Sequence, residues 1–254
     1  MNMIFDTHAH YDDEAFDADR DELLETLFST GGVCAAVDQG TTVETSKKAL
    51  ELAHRFDGIY AAVGIHPECI DENSLSELSV IRELAADPQA VAIGEIGLDY
   101  YYDTPRELQK EVFRAQIIMA NELGMPVTIH DREAHGDTLD IITELRPKGI
   151  LHCFSGSLEM AKRVVSMGMY IGIGGVVTFR NARKTVEVAE GIPHDFIVLE
   201  TDCPYLAPVP FRGKRNDSGM IIHTAAKLAE IWGVGTEEVL RITKANAEKV
   251  YFGR

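Results

Sequence analysis

Short apolar runs alternate with amphipathic stretches along the whole chain. The runs that read as strands cover Met3 to Asp6, Val33 to Val37, Ile59 to Val63, Val91 to Glu95, Pro126 to Ile129, Gly149 to His152, Met169 to Ile173 and Phe196 to Glu200. They are short and mostly apolar, as in parallel strands covered on both faces. Helical spacing fills the intervals. Leu23, Leu24 and Leu27 share one face after an acidic start at Asp19, Asp21 and Glu22. A long helix is predicted from Pro105 to about Leu123, closed by Gly124 and Pro126, and another after Ser157, closed by Gly168. The one long irregular piece, Pro204 to Gly219, reads as a loop over one end of the fold. Two helices are predicted after Met220, the second opening at Thr236-Glu237-Glu238. A βα unit repeated eight times in 254 residues most simply closes into an α/β fold of the (β/α)8 TIM barrel type, a single domain over 1–254. An open doubly wound sheet is the alternative, and the lack of a Gly-rich loop after the first strand counts against it.

Composition narrows the function. Hydrophobic residues make up 45% of the chain and the formal net charge is -17. So acidic a protein does not coat nucleic acid broadly, and any action on it is confined to a local site where metal ions offset the negative field. No apolar run approaches a membrane span, the N-terminus lacks the basic and apolar regions of a secretory signal, and nothing calls for an obligate protein partner. Cys34, Cys69, Cys153 and Cys203 are scattered without a Cys-x-x-Cys pair, which fits a reduced cytoplasmic protein rather than a thiolate zinc site.

The chemistry gathers at the carboxyl ends of the predicted strands. His8 and His10 follow the first, two apart in extended chain, so both imidazoles reach one point. His66 follows the third strand, Glu95 ends the fourth, His130 ends the fifth, His152 ends the sixth, and Asp202 follows the eighth. Taken singly, such a histidine is more often a hydrogen-bonded structural residue, as expected of His54 and His194, and an Asp after a strand is often a turn or cap. Glu95 alone could have emerged into solvent at a loop. The shared position changes this, because in a barrel those ends form one ring where active sites sit. His8, His10 and Asp202 suit one metal, His130 and His152 suit a second, and Glu95, between them, can bridge. Nitrogen and oxygen ligands without thiolate fit Zn, Mn, Fe, Co or Mg.

These residues carry a resemblance. Asp6-Thr7-His8-Ala9-His10, Gly64-Ile65-His66-Pro67, Gly94-Glu95-Ile96-Gly97-Leu98-Asp99-Tyr100, His130, His152-Cys153-Phe154-Ser155-Gly156 and Glu200-Thr201-Asp202-Cys203-Pro204-Tyr205-Leu206 with Arg212-Gly213-Lys214 appear in order. Together they resemble the TatD family, metal-dependent deoxyribonucleases of the amidohydrolase superfamily. The resemblance implies a (β/α)8 barrel and two divalent metal ions (Mg, Mn or Zn) on His8, His10, Glu95, His130, His152 and Asp202. It also implies that Glu95 bridges where other superfamily members use a carboxylated lysine. The family often has Ser at Cys203, and Asn, an acid and Pro after Arg-Gly-Lys. Here Arg215-Asn216-Asp217 runs into Ser218-Gly219, and the missing proline is expected to leave the loop after Asn216 freer. Cys153 and Cys203, each beside an expected ligand, read as small buried residues.

The expected reaction is cleavage of DNA phosphodiesters, with 3′-exonuclease action on single strands as one form, by a hydroxide held between two metals. Asp202 holds that hydroxide and accepts its proton, and Glu95 bridges. His66, Arg132, Arg212 and Lys214, with Arg215 beside them, are the candidate substrate contacts, although solvated loop charge is the ordinary reading of the loop cations. Glu200 supports the site or touches substrate. A second reading keeps the metals and changes the substrate to an ester or amide, such as a D-aminoacyl-tRNA. A third is a barrel that serves as a non-catalytic scaffold. A sequence-specific DNA-binding role has no basic recognition helix to support it.

Overall fold

The computed structural model describes residues 3–253. Its strands are β1 (Ile4–Ala9), β2 (Val33–Gln39), β3 (Ile59–Val63), β4 (Ala90–Asp99), β5 (Val127–Arg132), β6 (Gly149–Leu151), β7 (Tyr170–Ile173) and β8 (Ile197–Leu199). The helices between and after them are α1 (Arg20–Ser29), α2 (Val43–Arg55), α3 (Ser74–Leu84), α4 (Arg106–Leu123), α5 (His135–Leu145), α6 (Leu158–Ser166), α7 (Arg183–Gly191), α8 (Ile221–Trp232) and α9 (Thr236–Phe252). The strands form one parallel sheet in sequence order, β1 to β8, the (β/α)8 barrel expected from the alternation. The β1–β8 seam is held by a bridge between Ala9 and Cys203, with Asp202 N donating to His8 O and His10 N to Cys203 O, both at 2.9 Å.

Local chemistry sets the helix ends. Ser157 accepts from Met160 N at the start of α6, and Gly124 ends α4 with a φ of 70°. Two apolar layers form. The larger lies between strands and helices. The smaller fills the barrel interior with Phe5, Val37, Ala92, Ile150, Tyr170 and Val198. Tyr251 of α9 stacks on Phe5 at 5.9 Å, so the C-terminal helix packs against this interior layer. The site is left to the opposite, carboxyl end.

Two strands extend further than the apolar runs predict. β4 continues past Glu95 to Asp99, and β1 continues through His8. Both carry a register irregularity, between Ile93 and Ile96 in β4 and between Asp6 and Ala9 in β1. Ala92 belongs to the interior layer while Ile96 and Leu98 belong to the outer one. Strict alternation from Ala92 would send Glu95 outward, and the irregularity turns it in. The same shift separates Phe5, inside, from Ala9, outside, and aims His8 and His10 at the lumen. A one-residue slip that re-aims side chains is what a bulge supplies.

The loop after Asn216 is not freer for lacking proline. Asn216 is buried and its Nδ2 donates to Thr201 O and Tyr205 O at 3.0 and 2.8 Å. Asp217 accepts from Gly219 N, and Ser218 is buried. Tyr11 OH and Ser218 Oγ lie 2.6 Å apart, and Ser218 Oγ donates to Asp6 Oδ2 at 2.7 Å. Asp6 also accepts from Thr201 Oγ1 at 2.6 Å and from the Thr201 and His8 amides, so one buried carboxylate ties the loop to the seam. Burial pushes this carboxyl up to about 6, against the pull of those hydrogen bonds. Ser218→Ala is expected to lower unfolding stability by about 1.5–3 kcal/mol, the worth of a hydrogen bond to a charged group. Denaturant unfolding checks this, and an unchanged midpoint would mean that the loop is not tied through Ser218.

Candidate metal centre

Glu95 is 3% exposed and its two carboxylate oxygens face different partners. Oε2 lies 3.3 Å from His8 Nε2 and 3.6 Å from His10 Nε2. Oε1 lies 2.8 Å from His152 Nε2, 3.0 Å from His130 Nδ1 and 3.5 Å from His66 Nε2. Asp202 closes the first side, with Oδ1 3.6 Å from His8 Nε2 and 3.5 Å from His10 Nε2. All six residues expected to ligate metal, with His66, therefore meet in one cluster. Its donor set suits divalent ions. The 3.2 Å between the Nε2 atoms of His8 and His10, and the spacings to Glu95 and Asp202, are close to the roughly 3.4 Å edge of a tetrahedron of ligands about 2.1 Å from a central ion.

The far nitrogens of several rings are already engaged. His10 Nδ1 is 3.2 Å from Gln39 O, and His130 Nε2 is 2.9 Å from Asp99 Oδ2. These contacts leave His10 Nε2 and His130 Nδ1 turned to the centre, the orientation that outer partners give metal-binding imidazoles. His66 Nδ1 accepts from Glu68 N, which leaves the proton on Nε2, beside Glu95.

Charge is strongly coupled here. Burial alone would raise the Glu95 carboxyl, yet His152, His8 and His66 and the His130 hydrogen bond hold it well below the carboxylate range. Burial opposes Asp202 in the same way, and His10 outweighs it. Burial works against charging His10 too, but Asp202 and Glu95 raise it to about 10. Asp99 and Glu95 do the same for His130, also to about 10. His8 goes the other way, to about 4, through burial and the neighbouring His152. Without an ion, protons on His10 and His130 neutralise the carboxylates, and a bound cation takes over that task.

Glu200 is buried and its Oε1 accepts from Cys153 N at 2.5 Å, so it braces the turn after β6. A Cβ at Gly172 would lie 2.3 Å from Glu200 Oε2, so a glycine in β7 makes room for it. Burial pushes Glu200 up to about 8. Burial also pushes the Cys153 and Cys203 thiols well up, in keeping with packing roles. His54 pairs with Asp87 and His194 stacks on Trp232, both away from the cluster as expected.

The cationic candidates stand apart. Arg132 is exposed and lies 3.8 Å over the Tyr101 ring, Arg212 lies 4.4 Å over Phe179, and Lys214 is exposed. Arg215 is committed elsewhere, paired with Asp19 at 2.6 Å. Asp99 is the residue missed from the sequence. It was legible only as part of the Gly-Leu-Asp-Tyr motif, since its role depends on β4 continuing past Glu95.

Residues 5–252 match the family model described as TatD related DNase. The chain belongs to the TatD family. It is 42% identical to the uncharacterized metal-dependent hydrolase YabD of Bacillus subtilis strain 168, over 98% of this chain and 99% of that one. It is 33% identical to the 3′-5′ ssDNA/RNA exonuclease TatD of Cronobacter sakazakii, over 98% and 97%. The crystal structure of YJJV, a TatD homolog from Escherichia coli K12, superposes with a TM-score of 0.91 at 31% identity and covers 98% of both chains. The chain is thus a metal-dependent hydrolase of the TatD family, and no helix among the described residues is long and apolar enough to cross a membrane.

Asp99→Ala removes the acceptor for His130 Nε2. It is expected to weaken binding of one ion about 10–100-fold while leaving the other unchanged. Competitive titration of chelator-stripped protein with Zn checks this, and equal loss at both sites, or at neither, would contradict it.

Proposed function

We propose that the chain acts as a single-domain nuclease that cleaves phosphodiesters of single-stranded DNA, from a 3′ end. The observation that carries this reading is the division of the Glu95 carboxylate, one oxygen toward His8 and His10, the other toward His130 and His152. His8, His10 and Asp202 would hold one divalent ion, His130 and His152 a second, and Glu95 both, with Mg, Mn or Zn as the candidate metals. Such a pair supplies a water nucleophile near neutral pH and neutralises charge on a phosphoryl group.

The protein's own groups do the rest. Asp202, held ionised, orients the attacking water and takes its proton. His66, with its proton on Nε2, donates to a phosphoryl oxygen. Arg132 at the end of β5, with Arg212 and Lys214 on the loop after β8, all exposed, meet the flanking phosphates. The Cronobacter relative, named as a 3′-5′ ssDNA/RNA exonuclease, supports a nucleic-acid substrate. Four free thiols fit a reducing, cytoplasmic setting.

The test is cleavage of end-labelled single-stranded DNA by chelator-stripped protein given Mg, Mn or Zn. Shortening from the 3′ end is expected, with Glu95→Ala slower by on the order of 10²–10³-fold because metal activation supplies several kcal/mol. Full activity in Glu95→Ala would sink the mechanism. Turnover of a D-aminoacyl ester without DNA cleavage would move the substrate to a carbonyl compound.

A further inference from the structure

The loops after β7 and β8 carry net positive charge in a chain that is acidic as a whole. From Met160 to Val186 there is no Asp or Glu, while Arg180, Arg183 and Lys184 fall at the end of that stretch. From Cys203 to Asn216 there is again none, and Arg212, Lys214 and Arg215 lie within it. The two loops are built together. Thr178 Oγ1 accepts from Val209 N at 2.9 Å, and the Arg212 guanidinium lies 4.4 Å over the Phe179 ring. A Cβ at Gly175 would meet Leu206 O at 2.4 Å, so only glycine permits this approach of the two backbones.

Beside this contact lies a cavity of about 570 Å³, lined by Phe179, Arg180 and Arg183, by Glu187 and Glu190, and by Lys227 of α8, which pairs with Glu230 at 2.8 Å. α7 leads away from the mouth, because it follows the carboxyl end of β7. At 1.5 Å per residue, Glu187 and Glu190 sit roughly 6 and 10 Å further from the mouth than Arg183. The groove is therefore cationic where it opens toward the mouth and acidic further down. Some exposed cations elsewhere are paired, as Arg55 with Asp21, Arg114 with Glu144 and Arg241 with Glu238, whereas Lys47, Arg146, Lys148, Lys162 and Arg163 are scattered singly or in twos without an ion pair among the described residues. Among the described residues, Arg180, Arg183, Lys184, Arg212 and Lys214 form no ion pair.

We infer that this groove is a track for the phosphates of a single nucleic-acid strand, with Arg180 and Arg183 as phosphate contacts and Phe179 as the support that positions Arg212. The inference rests on the nuclease reading of the centre. Unpaired guanidinium groups lining a groove at the barrel mouth are what a single-stranded polyanion requires, and a protein of net charge -17 confines such binding to one place. Arg180 and Arg183 are exposed, so their removal does not disturb the core.

The experiment is fluorescence anisotropy of a labelled dodecathymidylate with phosphorothioate linkages, titrated with metal-loaded protein across a salt series. Arg180→Ala with Arg183→Ala is expected to weaken binding about 10-fold or more and to flatten the salt slope by about 1.4, two single-strand phosphate contacts. The control removes equal charge from the exposed face of α6, as Lys162→Ala with Arg163→Ala, and is expected to leave slope and affinity near those of the parent. Equal losses in the two double variants would reduce the effect to net charge and overturn the track, as would unchanged binding in the first. The readout is independent of cleavage. Groove-dependent binding by a protein that cuts no DNA would remove the nuclease reading and keep the track, whereas cleavage with groove-independent binding would do the reverse.

Discussion

A carboxylate buried to 3% exposure has to be matched by positive charge, and the barrel mouth is arranged to match Glu95. The imidazoles around it come from β1, the turn after β3, β5 and the turn after β6, so four separate segments converge on two oxygen atoms. None of those imidazoles reaches Glu95 unless the eight strands close in the right order. The interior apolar layer and α9 fill the lumen at the other end, which leaves the carboxyl end as the place for the charge. A cation bound on each side of Glu95 would relieve His10 and His130 of the protons they otherwise carry.

The geometry of the centre depends on two irregularities as much as on the barrel. In β4 and β1 the strand loses phase with its neighbour, and the residue after the slip faces inward when alternation would send it out. Gly94 and Gly97 sit on either side of Glu95. At Gly97, with a φ of 146°, a Cβ would fall 2.0 Å from His130 O, so β4 and β5 approach there only because no side chain intervenes. The same approach carries Asp99 to His130 Nε2. Similarly, the closure of β1 on the segment after β8 is held by Asp6, which lies two residues before His8 and accepts hydrogen bonds from the residue before Asp202. Ligand placement and barrel closure are thus one problem in this protein.

Much of this was legible in the sequence. Eight apolar runs in alternation with helical spacing identify the barrel, and histidines and acids at their ends mark the ring that holds the cluster. β1, β4 and β5 run further than the apolar runs indicate, because polar residues such as Glu95 and His130 look like exits from a sheet when they in fact line its lumen. For the same reason spacing alone does not mark Asp99. The missing proline suggests a freer loop after Asn216, but side-chain hydrogen bonds from Asn216 and Ser218 supply the constraint, and those depend on tertiary partners that spacing does not reveal. The cations of the mouth loops gave the least information singly. Their meaning lies in which of them are paired, as Arg215 is with Asp19, and which are not.

The central proposal is that Glu95 would be shared between two metal ions. Anomalous diffraction from Mn-loaded crystals tests it most directly. Two peaks are expected, one beside Oε2 among His8, His10 and Asp202, the other beside Oε1 between His130 and His152. A single peak, or two peaks of which one does not touch Glu95, would contradict the account.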